Sequence, residues 1–132
     1  MSALPEHPPD PRLPGLLELA GDEAVLPAGS RLADEERPGR QCFVIIDGRA
    51  AVEREGTQLR SLGSGDFVGD VDASGAPQPP AGVTVRLETR ARVLVIDSAR
   101  LAAMIEVEPA LAAAWRSLIQ GPARRDGNGD AA

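Results

Sequence analysis

The chain has 132 residues, 42% of them hydrophobic, which is enough for one domain with its own core. Only 2% of the residues are aromatic and the formal net charge is −6, so a phosphate backbone is repelled and nucleic acid is not expected as a partner. No apolar run approaches the ~20 residues that cross a bilayer, and no secretory signal opens the chain. We therefore expect no membrane contact and a cytoplasmic location.

Both ends of the chain are rich in proline, glycine and polar residues. Residues 1–12 and 121–132 hold too few apolar side chains to offset the entropy of ordering them, so a disordered leader and a disordered tail are predicted. The domain should occupy residues 13–120. Its first apolar residues share a helical face and precede a glycine, which predicts a short opening helix. They are Leu13, Leu16, Leu17 and Ala20, followed by Gly21.

Glycines then recur at the spacing at which turns separate short strands in sandwiches and barrels. They are Gly29, Gly39, Gly48, Gly56 and Gly65, and each is expected at a turn with positive φ. Apolar and alternating segments predict strands at Glu23–Leu26, Arg31–Ala33, Cys42–Ile46, Ala50–Glu53, Gln58–Leu62, around Phe67, at Val83–Leu87 and at Val93–Ile96. The single cysteine, Cys42, is expected to be a buried and inert strand residue.

Two helices are predicted after the last strand. Ser98 is expected to cap the first helix, which buries one apolar face and ends before Pro109. The second helix begins at Pro109 and carries an apolar stripe of Leu111, Trp115, Leu118 and Ile119. Core packing is the simpler interpretation of this stripe. The alternative is that part of it, namely Trp115, Leu118 and Ile119, forms a surface for a partner protein.

The order of these elements resembles the cyclic nucleotide-binding domain family, with its catabolite activator-type β-roll. The local motifs that carry the resemblance are Leu26–Ser30, Gly39, Phe43–Ala50, Leu62–Phe67 and Met104–Pro109. The resemblance covers residues 13–120. It implies a mainly β fold, an antiparallel β-roll (a double-stranded β-helix similar to a jelly roll) with one N-terminal and two C-terminal helices.

In the resembled family a Gly-Glu pair opens a short helix, and an arginine about ten residues later holds the cyclic phosphate. Here the matching pair is Gly69-Asp70, in which Asp70 keeps an acceptor for the ribose hydroxyl, and the arginine position falls on Ala81. The resemblance places the cyclic nucleotide pocket at Phe67, Val68, Gly69, Asp70, Val71, Ala81, Gly82 and Val83.

The phosphate-binding cation is missing from this segment. No Arg or Lys occurs from Ser61 to Val85, while Asp66, Asp70 and Asp72 add negative charge. Loss of one partner of a buried charge-assisted pair costs about 2–5 kcal/mol, so cyclic nucleotide affinity should be lost or much weakened. Arg86 is the nearest substitute, but its strand position is more typical of a solvated charge.

The function expected from these observations is a stand-alone regulatory module that acts by contact with another protein. The alternative is a genuine receptor for cyclic AMP or cyclic GMP that signals to a separate effector. An enzyme of the related cupin type is not expected, because such sites need two or three histidines and the single histidine is His7, in the leader. No catalytic residues, metal site or cofactor are therefore predicted.

Overall fold

A computed structural model describes residues 21–119 of the chain. The predicted opening helix, leader and tail lie outside these residues. The described strands are β1 (Gly21–Leu26), β2 (Arg31–Ala33), β3 (Gln41–Asp47), β4 (Ala50–Arg54), β5 (Thr57–Leu62), β6 (Phe67–Val68), β7 (Asp70–Val71), β8 (Pro77–Gln78), β9 (Thr84–Leu87) and β10 (Ala91–Asp97). The described helices are α1 (Ser98–Val107) and α2 (Pro109–Ile119).

The strands form two antiparallel four-stranded sheets and one small hairpin. The first sheet has the order β1-β10-β3-β6, the second has the order β2-β9-β4-β5, and the hairpin pairs β7 with β8. All of the strand pairs are antiparallel. This arrangement, with the two helices after the last strand, confirms the predicted mainly β roll.

The first sheet is covered on both faces. Phe43 and Ile45 of β3 point toward the second sheet and pack with its residues, whereas Cys42 and Val44 point the other way and pack against α1 and α2. Strand β10 alternates in the same manner. A strand that is buried on both faces must be apolar at nearly every position, which explains the uninterrupted apolar runs in these two strands.

Cys42 is fully buried in this layer. Burial raises the pKa of its thiol to about 11, because the charged thiolate is disfavoured away from water. The thiol is therefore protonated at neutral pH, and the prediction that Cys42 is a buried strand residue is confirmed.

Gly21 begins β1, opposite Ile96 of β10, and the helix that it was predicted to end lies outside the described residues. One capping prediction is wrong. The first helix is capped by Asp97 rather than Ser98, because Asp97 has extended backbone angles and its carboxylate accepts a hydrogen bond from the N–H of Arg100 at 3.0 Å. Ser98 is the first helical residue and is buried.

The glycine turns are mostly as predicted. Gly29, Gly48, Gly56 and Gly65 have positive φ, whereas Gly39 does not. At Gly48 (φ +126°) an added Cβ would lie 2.5 Å from the Cβ of Ala91. At Gly39 an added Cβ would meet nothing within 4 Å. Only the first of these two positions requires glycine.

We expect Gly48→Ala to lower the free energy of unfolding by about 2 kcal/mol or more, since the substitution adds a steric clash to a backbone conformation that L-residues rarely adopt. Gly39→Ala is the matched control and should leave the stability within about 0.5 kcal/mol of the wild type. Urea denaturation of the two variants measures both values. Equal losses at the two positions would contradict this account of the turns.

Candidate functional site

The residues predicted to form the cyclic nucleotide pocket lie in two adjacent pieces of chain. Phe67 and Val68 form β6 at the edge of the first sheet, and Val68 is buried between the sheets. Gly69 follows, and Asp70 and Val71 form the exposed strand β7. The second piece, residues 81–83, leads into β9, with Ala81 and Gly82 exposed and Val83 half-buried.

The segment after Gly69 is a β-hairpin and not the short helix that the resemblance implies. Asp70 pairs with Gln78 and Val71 pairs with Pro77. Proline at positions 77, 79 and 80 explains the difference, because three prolines so close together cannot occupy the interior of a helix. The segment therefore offers no helix N-terminus to an anion.

Asp72 organises the turn of this hairpin. One of its carboxylate oxygens accepts hydrogen bonds from the hydroxyl and N–H of Ser74, at 2.6 and 2.8 Å, and from the N–H of Ala76 at 3.0 Å. The other oxygen accepts from the side-chain amide of Gln78 at 3.2 Å. The Ser74 hydroxyl first, and then the N–H of Ala76, hold the pKa of Asp72 below its ordinary value. An ionised carboxylate thus stands at the place where a phosphate-binding segment is expected.

Gly69 is needed for the hairpin to pack. An added Cβ would lie 2.6 Å from the ring of Phe67 and 2.8 Å from the carbonyl oxygen of Gln78. The glycine of the resembled Gly-Glu pair therefore has a structural role in this chain, which holds whether or not a ligand binds.

The two residues that the resemblance assigns to the ribose and phosphate positions contact each other. The carboxylate of Asp70 accepts a hydrogen bond from the backbone N–H of Ala81 at 3.1 Å. The sequence thus identified two positions that the fold brings together. The pair presents a carboxylate, which can accept a hydrogen bond from a ribose hydroxyl, and a methyl group, which offers no charge to a phosphate.

The fold brings one cation to this region that local sequence did not reveal. The Nε of Arg54, at the end of β4, donates to the carbonyl oxygen of Gly82 at 3.2 Å. Arg54 is 28 residues away in the chain, so no motif around Gly82 could have indicated it.

Arg86, the substitute cation considered from the sequence, has a partner. Its two terminal nitrogens lie 3.0 and 3.1 Å from the two carboxylate oxygens of Glu53 on the neighbouring strand β4. Neighbouring residues Val85 and Leu87 point into the core between the sheets, so Arg86 projects from the opposite face of β9. This placement does not support Arg86 as a ligand in the pocket.

Trp115 joins helix α2 to the hairpin. Its side chain is 2% exposed, its Nε1 donates to the carbonyl oxygen of Gly75 at 2.8 Å, and its ring lies edge-on to Phe67 with 4.9 Å between centroids. Leu118 and Ile119 are half-buried and pack against the same core cluster. The geometry favours core packing for Trp115, while a partner surface that includes Leu118 and Ile119 stays a prediction.

We expect Trp115→Phe to cost about 1 kcal/mol of unfolding free energy beyond any packing change, because it removes the hydrogen bond to Gly75. The amide signal of Ala76, whose nitrogen follows that carbonyl, should move in the nitrogen–proton correlation spectrum. Trp115→Ala should cost about 3–5 kcal/mol, since it also empties a core site. The exposed Arg116→Ala on the same helix is the control, and a Trp115→Ala variant as stable as this control would show that Trp115 is not part of the core.

Comparisons with known proteins agree on the family. The family model described as "Cyclic nucleotide-binding domain" matches residues 23–108. A comparison with curated proteins finds no match. The residues matched by the family model include the candidate pocket, residues 67–71 and 81–83.

Solved structures share the fold. The chain is similar to the C-linker/CNBHD of zELK channels crystallised in the presence of cAMP (TM-score 0.64, 21% identity, 79% of this chain and 53% of that one). It is also similar to the N-terminal domain of a transcriptional regulator from Streptomyces coelicolor A3(2), with a TM-score of 0.62, 19% identity, and coverage of 93% of this chain and 90% of that one. The catabolite activator protein of Thermus thermophilus matches with a TM-score of 0.63, 18% identity, and coverage of 88% of this chain and 55% of that one. The chain thus spans about half the length of the channel and activator structures.

Two further findings concern residues 21–119. Neither of their helices is long and apolar enough to span a bilayer. No group of three or more His, Cys, Asp or Glu side chains among these residues is arranged to hold a metal ion.

Proposed function

Because the chain belongs to the cyclic nucleotide-binding domain family, we propose that it is a regulatory module whose cyclic nucleotide affinity is lost or much weakened and which acts by contact with another protein. The observation that carries this proposal is the hairpin of Asp70–Val71 and Pro77–Gln78, which follows Gly69 in place of the short helix that the resemblance implies.

The charges of the segment support weak nucleotide binding. Residues 61–85 contain no Arg or Lys, and the carboxylates of Asp70 and Asp72 lie exposed on the hairpin. A family member that loses its buried phosphate cation loses about 2–5 kcal/mol, which is roughly 30-fold to several thousand-fold in affinity. Arg54 donates its Nε–H to the carbonyl oxygen of Gly82 and lies exposed, so its terminal N–H groups would meet a phosphate in water and could not replace a buried cation.

Two observations support action through a protein. The similar structure from Streptomyces coelicolor is described as the N-terminal domain of a transcriptional regulator, and the zELK structure as part of a channel, so domains of this fold occur as parts of larger regulated proteins. In this chain the Trp115–Gly75 hydrogen bond links the hairpin to α2. A displacement of the hairpin would therefore be transmitted to α2 through this hydrogen bond.

The proposal includes no catalysis. The thiol of Cys42 is fully buried and protonated at neutral pH, and the single histidine of the chain is His7. The proposal also includes no nucleic acid partner, because the chain is acidic.

Cyclic AMP and cyclic GMP at about 100 µM should not raise the melting temperature of the full chain. A site with a dissociation constant near 1 µM would add about 2.7 kcal/mol at that concentration and shift the melt by several degrees. Differential scanning fluorimetry measures the shift. A rise of several degrees that Asp70→Ala abolishes would contradict the proposal and favour the alternative of a genuine cyclic nucleotide receptor.

The contact with a partner is tested at the end of α2. We expect that the immobilised full chain carrying Ile119→Ser no longer recovers a partner protein from cell lysate. The melting temperature of this variant should fall by only a few degrees, because Ile119 is half-buried. Ala113→Ser, at an exposed position of the same helix, is the control and should recover the partner normally. Equal recovery by both variants would exclude this end of α2 from the contact.

A further inference from the structure

A cavity with three arginines opens beside the loop between β2 and β3. Its volume is about 170 Å³, and Arg31, Arg37 and Arg40 line it together with one carboxylate, that of Asp34. Pro80, which precedes the predicted arginine position, also lines the cavity. Three cations from residues 31–40 thus lie beside one end of a segment, residues 61–85, that has none of its own.

The charges in this cavity are unbalanced. Arg31 pairs with Asp34 at 3.2 Å, whereas the exposed side chains of Arg37 and Arg40 form no ion pair within residues 21–119. The N–H of Glu36 first, and the guanidinium groups of Arg31 and Arg37 after it, hold the pKa of Asp34 below its ordinary value, so its carboxylate is charged at neutral pH. Three positive charges against one leave a net excess of two.

The neighbouring acidic residues do not neutralise this excess. Glu35 turns away and accepts hydrogen bonds from the hydroxyl of Thr84 at 3.1 Å and from the N–H of Glu55 at 3.1 Å. Glu35 and Glu36 line an adjoining cavity, next to Thr84 and Arg86, which shares Arg31 and Asp34 with the arginine cavity. Arg37 and Arg40 line only the arginine cavity, and they give it its positive character.

The lining defines a ligand class. Guanidinium groups bind phosphate with paired N–H donors, and they do so better than any other side chain. The apolar walls of Leu32, Phe43 and Pro80 suit a short hydrocarbon or ring next to the anion. The volume is about half that of the smallest usual drug-sized pockets, which start near 300 Å³, so the ligand must be small.

We propose that this cavity is a binding site for a small phosphate-bearing molecule, held by Arg31, Arg37 and Arg40. The site is separate from the pair Asp70 and Ala81. The proposal does not rest on the proposed function, because it requires neither a cyclic nucleotide nor a protein partner.

The test is a titration of the full chain, monitored by the amide signals of Arg37, Gly39, Arg40 and Gln41 in nitrogen–proton correlation spectra at low ionic strength and pH 7. The probes are inorganic phosphate and phenyl phosphate. Both should produce saturating shifts at these residues. Tighter binding of phenyl phosphate would assign the cavity to phosphate monoesters, whereas equal binding would assign it to free phosphate.

Variants separate a built site from general attraction of anions. Arg37→Ala and Arg40→Ala should each raise the dissociation constant about tenfold, since a hydrogen bond to a charged group is lost. Asp34→Asn should lower it, because the one repelling charge is removed while an acceptor for Glu36 remains. Gly39→Glu should abolish binding without unfolding the chain, since an added Cβ at Gly39 meets nothing within 4 Å.

Arg90→Ala is the matched control, because Arg90 is exposed and lies outside the cavity. It should leave the dissociation constant unchanged. The proposal is overturned if no saturating shift appears at residues 37–41, or if Arg90→Ala weakens binding as much as Arg40→Ala. Either result would leave the melting experiment with cyclic nucleotides unaffected, so the two proposals fail separately.

Discussion

The burial of strands β3 and β10 on both faces is the constraint on which the rest of the domain depends. Alternate side chains of these strands enter two separate cores, one between the sheets and one beneath the helices. Neither core can form unless the second sheet and the two helices cover the first sheet. The short connection from Asp97 into α1 follows from this requirement, because the helix must turn back at once onto the sheet that it leaves.

The hairpin of β7 and β8 is anchored to that double-sided layer, since Pro77 of β8 is fully buried and β8 contacts α1 and β3. Trp115 supplies an edge-on ring contact to Phe67 and a hydrogen bond to Gly75, and Asp72 holds the turn from within. These interactions hold the hairpin in place without a ligand.

The parts of the fold that could be predicted are those with a local signal. The apolar runs Cys42–Ile46 and Val93–Ile96 predicted the central strands, and Pro109 predicted the start of α2. The hairpin gave no such signal, because its strands have two residues each and include a proline. Gly39 and Gly48 look alike in sequence, although only Gly48 has positive φ and packs against Ala91, which is 43 residues away in the chain.

The candidate site also has some features that the sequence predicts and others that only the fold reveals. The positions Asp70 and Ala81 could be identified from motifs, and the structure places them in contact. The contacts of Arg54 with Gly82 and of Trp115 with Gly75 join residues 28 and 40 positions apart, so only the tertiary fold reveals them. The same holds for the three arginines that meet Pro80 across a cavity.

The central claim is that the pocket of this family member no longer holds a cyclic phosphate. Isothermal titration calorimetry of the full chain with cyclic AMP, paired with the amide signals of Gly69, Asp70 and Ala81, tests it most directly. Our account predicts no measurable heat and no saturating shift at these three residues below about 1 mM nucleotide. A dissociation constant of about 1 mM corresponds to a binding free energy of only about −4 kcal/mol. A saturating shift at these amides with a micromolar dissociation constant would contradict it.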